Sequence, residues 1–388
     1  MSDSLVDRVR ERLAAAPAAP LGPSAVAAAI RAEAGGVLSD AEMLDNLRLL
    51  ETELTGAGLL DPLLAGEGVT DVLVNGPDQV WVDAGAGLRR STVRFADEAA
   101  VRRLAQRLAV TAGRRLDEAQ PWVDGQLTGV GPEGAMVRLH AVLPPVATGG
   151  TALSLRVLRP ATQSLDALTA AGAIAPDAAV LLGEIIGARL AFLISGGTGA
   201  GKTTLLAAVL GAVAGDERIV CVEDAPELAP DHPHVVRLVA RGANVEGVGE
   251  VTLRQLVRQA LRMRPDRLVV GEVRGAEVVD LLGALNTGHD GGAGTVHANS
   301  PAEVPARMEA LAALGGLDRA ALHSQLAAAI QVVLHVSRGS RGRRLSAIAC
   351  LRADGAGVVE AVPVWQLDAG LIDGARGLRE LVADRGRR

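Results

Sequence analysis

The chain of 388 residues has no tyrosine, two phenylalanines and three tryptophans. Its cores must therefore be built from alanine, valine and leucine, and it has few rings on which nucleic-acid bases could stack. Only two cysteines are present, Cys221 and Cys350, far apart and without a C-x-x-C pattern. That argues against a disulfide framework and a cysteine-built zinc site, and points to a reducing cytosol. No basic block is long enough to track a phosphate backbone and the net charge is −6, so nucleic acid is not the expected partner. The N-terminus carries Asp3 and Asp7 and lacks the apolar core of a signal peptide. Leu13–Ile30 is apolar by count, but Pro17, Pro20 and Pro23 make it a poor membrane span. No direct membrane insertion is expected, and any membrane association must go through a partner.

Lysine is the last scarcity. Of 39 basic residues one is lysine, Lys202, and it sits in Gly196-Gly197-Thr198-Gly199-Ala200-Gly201-Lys202-Thr203. This is a full match to the phosphate-binding pattern G-x-x-x-x-G-K-[ST]. Guanidinium is a wide planar fork, whereas the lysine head is a compact charge on a flexible stem that fits inside a tight loop. The glycines let backbone N–H groups turn inward around an anion, and the next helix adds its positive N-terminal end. Thr203 offers a hydroxyl for Mg²⁺, and Thr204 comes directly after it. The apolar run Leu190–Ser195 before the loop reads as a buried strand, and the Ala/Leu-rich stretch Thr203–Val213 after it as a helix. Strand, glycine-rich loop and helix is the context the pattern requires, so the chain is expected to bind a nucleoside triphosphate.

Length predicts two or three domains. Residues 1–38 read as a short helix, Leu5–Ala16, followed by a Pro/Ala tether. Residues 39–160 read as a small α+β domain. Within it lie an amphipathic helix Asp40–Gly56, a hairpin of Val69–Val74 and Gln79–Val82 around Asn75-Gly76, and a helix Asp97–Arg115. Strands Met136–Leu143 and Ala152–Leu158 complete it. A linker is placed at 161–177. From 178 to 388 helices alternate with apolar runs at Leu190–Ser195, Arg218–Glu223, Arg267–Val273 and Gly294–His297, which predicts a mostly parallel sheet flanked by helices. Two further β-like runs between Ser337 and Leu367 read as an appended hairpin.

The carboxylates narrow the chemistry. Ile219-Val220-Cys221-Val222-Glu223-Asp224 ends in two acids, with Glu227 three residues on, and Leu268-Val269-Val270-Gly271-Glu272 ends in Gly-Glu. In a parallel sheet both strand ends face the bound nucleotide, where one acid can polarise water and another can hold Mg²⁺ through water. The plain alternative is that strand-end acids merely cap the helices after them. Two such clusters beside a complete phosphate loop weigh against it. A third segment, Thr287-Gly288-His289-Asp290-Gly291-Gly292-Ala293-Gly294-Thr295-Val296-His297-Ala298-Asn299, sets two histidines around a glycine run. Ser300-Pro301-Ala302-Glu303 then reads as an N-cap, a first-turn proline and a capping-box glutamate.

The order of phosphate loop, acid-ended strand, Gly-Glu strand and paired-His loop resembles the traffic ATPases of type II and type IV secretion systems and type IV pili. The resemblance runs from about residue 60 to 335. Asp71-Val72-Leu73-Val74-Asn75-Gly76, Arg114-Arg115-Leu116-Asp117-Glu118-Ala119-Gln120-Pro121 and Leu261-Arg262-Met263-Arg264-Pro265-Asp266-Arg267 are similar to its tight-adherence (Tad) pilus branch. So are Leu143-Pro144-Pro145-Val146 and Ser154-Leu155-Arg156. The resemblance implies a RecA-like α/β domain behind a smaller N-terminal α+β domain, assembled as a homo-hexamer. It implies ATP and Mg²⁺ as cofactors, with hydrolysis driving pilus assembly or protein secretion. Polytopic inner-membrane platform proteins would be the partners, and the place of work the cytoplasmic face of the cell membrane.

By the same resemblance, Lys202 and Thr203 bind phosphate and Mg²⁺, and Glu223 and Glu272 share water activation and metal positioning, with the choice of base open. Thr295 and His297 sense the γ-phosphate, and Arg138 and Arg156 reach phosphate from the N-terminal domain. His140 stands where relatives often carry Asn, and the tetracysteine module of some type II exporters is missing. The alternatives from other classes are a nucleic-acid-translocating or conjugal-transfer ATPase, a nucleotide-gated scaffold without turnover, and, more weakly, a small-molecule kinase. The acidic balance and scarce aromatics weigh against the first, the intact carboxylates against the second, and the lack of a recognisable lid against the third.

Overall fold

The computed structural model describes residues 8–9, 12, 23–34, 56–85, 87–133, 135–244, 246–339, 342–372 and 374–385. The chain divides into two units, Met1–Arg159 and Pro160–Arg388. Among the described residues no helix is long and apolar enough to cross a membrane.

In the first unit, alternation of apolar and polar residues builds one antiparallel sheet. Its strands are β1 (Asp71–Asn75), β2 (Val80–Asp83), β3 (Leu88–Arg90), β4 (Trp122–Leu127), β5 (Met136–Val142) and β6 (Ala152–Leu158), in the order β3-β2-β1-β6-β5-β4. Val72, Val74, Val80, Val82, Leu139 and Leu155 point to one face and are buried, as a period of two requires. The helix Glu98–Thr111 supplies the other half of this core through Val101, Leu104, Ala105 and Leu108. Its N-terminus is capped by Asp97, which accepts from Ala100 N at 2.7 Å. Val110, less regular in the helical pattern, is exposed. Strand β4 went unread in the sequence because Asp124, Gly125 and Gln126 interrupt its apolar run.

The second unit holds a nine-stranded sheet. Its strands are β7 (Phe192–Ser195), β8 (Ile219–Glu223), β9 (Val235–Val239), β10 (Arg267–Val270), β11 (Ala293–Val296), β12 (Val332–Gly339), β13 (Gly342–Ala353), β14 (Val359–Gln366) and β15 (Gly370–Leu371). The order is β15-β14-β13-β12-β7-β11-β10-β8-β9. From β12 to β9 all pairings are parallel, and from β12 to β15 antiparallel. β7, β8, β10 and β11 are buried along their whole length, as parallel strands covered by helices on both faces must be. Two apolar clusters, one on each face, share this sheet.

Several segments differ from the sequence reading. Pro23–Glu33, inside the expected tether, is helical; proline is tolerated in a first turn and the alanines after it favour helix. The expected helix Asp40–Gly56 lies outside the described residues apart from Gly56, as does most of Leu5–Ala16. Residues 161–177 carry a helix, Leu165–Ala170, and the start of another, Pro176–Gly187. Leu168 and Ile174 from this stretch are buried in the core of the second unit. The hairpin β13–β14 is not an appendage: through β12 it continues the main sheet, with Val332 paired to both Phe192 and Cys350.

Candidate active site

In a parallel sheet all C-termini emerge along one edge, and the residues after β7, β8, β10 and β11 meet there. β7 ends at Ser195, and the loop 196–201 comes next. The helix Lys202–Gly211 begins after Gly201, whose backbone takes the left-handed conformation at φ +100°. Lys202 is 8% exposed, and its Nζ donates to Gly196 O and Gly197 O, both at 3.1 Å. Burial lowers its pKa, and the nearby Glu272 carboxylate works in the opposite direction.

The imidazole of His297, one residue past β11, lies 3.5 Å from Lys202 Nζ through Nδ1 and 3.4 Å through Nε2. Its Nε2 also contacts Glu272 Oε1, and the other oxygen of Glu272 is paired with Arg274. Arg274 lies 3.9 Å from Asp224 as well. Burial, and then the Lys202 charge, lower the pKa of His297, which favours the neutral ring. Lys202, His297 and Glu272 thus form one contiguous polar group at the strand ends.

Glu223 is placed differently from Glu272. Its Oε1 accepts from the backbone N–H of Glu227 at 3.1 Å and of Leu228 at 2.8 Å, so half of the carboxyl holds the turn after β8. Its Oε2 is buried without a hydrogen-bond partner, and burial pushes the group up to about 7. Glu223 Cγ would lie 2.8 Å from a Cβ at Gly271. The glycine of the Gly-Glu pair is therefore what lets the two acid-bearing strands lie side by side here. Glu227, an acid noted in the sequence without a role, accepts from Thr203 Oγ1 at 3.3 Å.

The paired-His loop separates into two functions. His289 Nδ1 lies 3.1 Å from Ala284 O and caps the helix Glu277–Leu285. The glycine run makes room for packing: a Cβ at Gly291 would sit 2.7 Å from the buried Arg267 guanidinium, and one at Gly292 2.4 Å from Leu285. Thr295 donates to Gly271 O at 2.7 Å, linking β11 to the Glu272 segment. The capping box also departs from expectation. Glu303 accepts from Asn299 N at 3.1 Å and Asn299 Nδ2 at 3.0 Å, Ser300 makes no capping bond, and Pro301–Glu303 is a 3₁₀ turn.

Arg138 and Arg156 lie in the first unit, directly opposite each other on β5 and β6. Asp124 takes Arg138 at 3.1 and 2.6 Å, and Asp71 takes Arg156 at 2.9 Å. Both guanidiniums are half-exposed; the two-pronged contact of Arg138 with Asp124 is the fork geometry that suits a phosphate equally well, whereas Arg156 meets Asp71 through one nitrogen.

Among the described residues no group of three or more His, Cys, Asp or Glu could hold a metal ion. Thr203 Oγ1 and Glu227 Oε2, 3.3 Å apart, are a hydroxyl and a carboxylate of the kind that could hold Mg²⁺, which keeps waters and takes few protein ligands beside substrate phosphate.

Residues 53–359 match the family model described as type II/IV secretion system protein. A putative conjugal transfer protein of Mycobacterium tuberculosis strain H37Rv is 74% identical over 350 residues, covering 90% of this chain and 99% of that protein. The crystal structure of the pilus retraction motor PilT with bound ADP matches with a TM-score of 0.52 at 20% identity, covering 77% of this chain and 84% of the other. The Legionella pneumophila ATPase DotB matches with a TM-score of 0.51 at 18% identity, covering 89% and 86%. At such identities the likeness shows the fold, a RecA-like α/β domain preceded by a smaller domain.

Proposed function

The chain belongs to the type II/IV secretion system protein family, and we propose that it is a Mg²⁺-dependent ATPase that drives macromolecular transfer or pilus assembly at a membrane. The observation that carries this reading is the contact of Lys202, His297 and Glu272 at the phosphate loop. Lys202 neutralises the β- and γ-phosphates, exchanging the carbonyls of Gly196 and Gly197 for phosphate oxygens. Thr203 and Glu227 would hold Mg²⁺, which when bound neutralises charge on the β- and γ-oxygens. Glu272 takes the proton of the attacking water. It is the better base of the two acids, because Glu223 is 3% exposed and committed to the backbone of Glu227 and Leu228. His297, neutral and beside Lys202, donates to the γ-phosphate and reports its loss. Arg138 and Arg156 are phosphate-binding guanidiniums of the first unit, now held by Asp124 and Asp71.

On this reading the working form is a homo-hexamer at the cytoplasmic side of the membrane, and force passes to polytopic platform proteins through protein contacts. The test is phosphate release by the purified full chain with Mg·ATP, with light scattering in a non-hydrolysable ATP analogue. Turnover together with a nucleotide-stabilised hexamer is expected. A strict monomer with full activity would remove the ring, and an absence of nucleotide binding would remove the ATPase. A conjugal-transfer motor is the second reading, favoured by the name of the M. tuberculosis relative. Salt-dependent binding of single-stranded DNA would support it over protein secretion.

A further inference from the structure

The β12–β13 hairpin touches both ends of the phosphate loop. β12 runs parallel to β7, with Val332 opposite Phe192 and His335 opposite Ser195, and continues to Gly339 beyond the point where β7 gives way to the loop. At Gly196, with φ +156°, a Cβ would lie 2.4 Å from Val336 O. At Gly201, with φ +100°, it would lie 3.4 Å from Arg343 Cδ and 3.8 Å from Arg343 Cβ. The stem of Arg343 therefore crosses the residue immediately before Lys202, and its guanidinium begins one bond further out. Across the ladder Arg343 stands directly opposite Arg338, and both are exposed.

We propose that Arg343, with Arg338 beside it, is a phosphate-binding arginine of the nucleotide site, supplied by the same unit as the loop it overlies. The assignment rests on the ATPase reading above and adds to it a residue that neither the phosphate-loop pattern nor the acid-ended strands reveal. The division of labour is chemical. Lys202 acts as an enclosed point charge, while a guanidinium arriving from the rim can take two phosphate oxygens at once.

The experiment is calorimetric titration of the full chain with Mg·ADP and with Mg·tripolyphosphate, which carries the phosphates without base or sugar. Arg343→Ala and Arg343→Gln should each weaken both ligands by about tenfold, the scale of a charge-assisted hydrogen bond. Arg343→Lys should lose less, because it keeps the charge but not the fork. Far-UV spectra identical to wild type are expected, since the side chain is exposed. Wild-type affinity in Arg343→Ala would overturn the proposal. So would weakened ADP binding with unchanged tripolyphosphate binding, which would place Arg343 against the base or sugar. A wild-type chain that bound neither ligand would fell the ATPase reading itself.

Discussion

Lys202 Nζ and His297 Nε2 lie 3.4 Å apart, joined across 95 residues of sequence at the edge of one sheet. The ammonium is at the same time closed in by Gly196 O and Gly197 O. That enclosure sets a size limit that charge alone does not. Lys202→Ala and Lys202→Arg should both abolish ATP turnover, the first by removing the charge and the second because a planar fork does not fit the loop. Nucleotide binding should weaken strongly in the alanine variant. Phosphate-release assays on the two variants check this, and robust hydrolysis by Lys202→Arg would contradict it.

The two acids should separate kinetically. Glu272→Gln is expected to keep ATP affinity within a few-fold and to cut turnover by roughly 10²-fold, the scale for losing a positioned proton acceptor. Glu223→Gln retains a carbonyl oxygen for the N–H groups of Glu227 and Leu228, so its turnover should fall less. Single-turnover kinetics with bound ATP distinguishes the steps. If Glu223→Gln is the slower of the two, the assignment of the base reverses.

The close approach at the Gly-Glu strand should show in stability. Gly271→Ala would put a Cβ 2.8 Å from Glu223 Cγ, inside normal contact distance, and should destabilise the second unit by about 1–3 kcal/mol. Shortening the neighbour in Gly271→Ala/Glu223→Ala should recover part of that loss. Urea unfolding of the single and double variants tests this: additive losses would mean that the two side chains do not compete for the same space.

The phosphate loop was legible in the sequence because its chemistry is local, eight consecutive residues between an apolar run and an Ala/Leu-rich helix. Glu223 and Glu272 were legible as strand ends because buried parallel strands are continuous apolar runs. What stayed hidden is set by register between distant segments. Ser195 and His335 are 140 residues apart yet hydrogen-bonded at 2.9 Å, and no pattern in either segment announces the pairing that carries Arg343 to Gly201. The packing role of the glycines after His289 was hidden for the same reason: they make room for Arg267 and Leu285, neighbours only in the folded sheet. Strand β9 lies at the sheet edge and is only half-buried, with an exposed Arg237 at its centre, so it lacked the continuous apolar signature of its partners.

The burial of Glu223 predicts a pH dependence of definite sign. Its usual value of 4.5 is raised to about 7 in the folded chain, chiefly by loss of water around the carboxyl. Between those values the folded state keeps a proton that the unfolded chain gives up. The resulting stabilisation is complete below the lower value and is lost as pH rises through the upper one. Glu223→Gln has nothing to titrate there and keeps its acceptor oxygen. From about pH 5 to about pH 8 the nucleotide-free wild type should therefore lose stability relative to Glu223→Gln, by on the order of 2–3 kcal/mol at full ionisation. Urea unfolding of both proteins across that range measures the difference. Parallel stability curves would show that the folded chain ionises Glu223 as readily as water does, and would place Oε2 in contact with solvent.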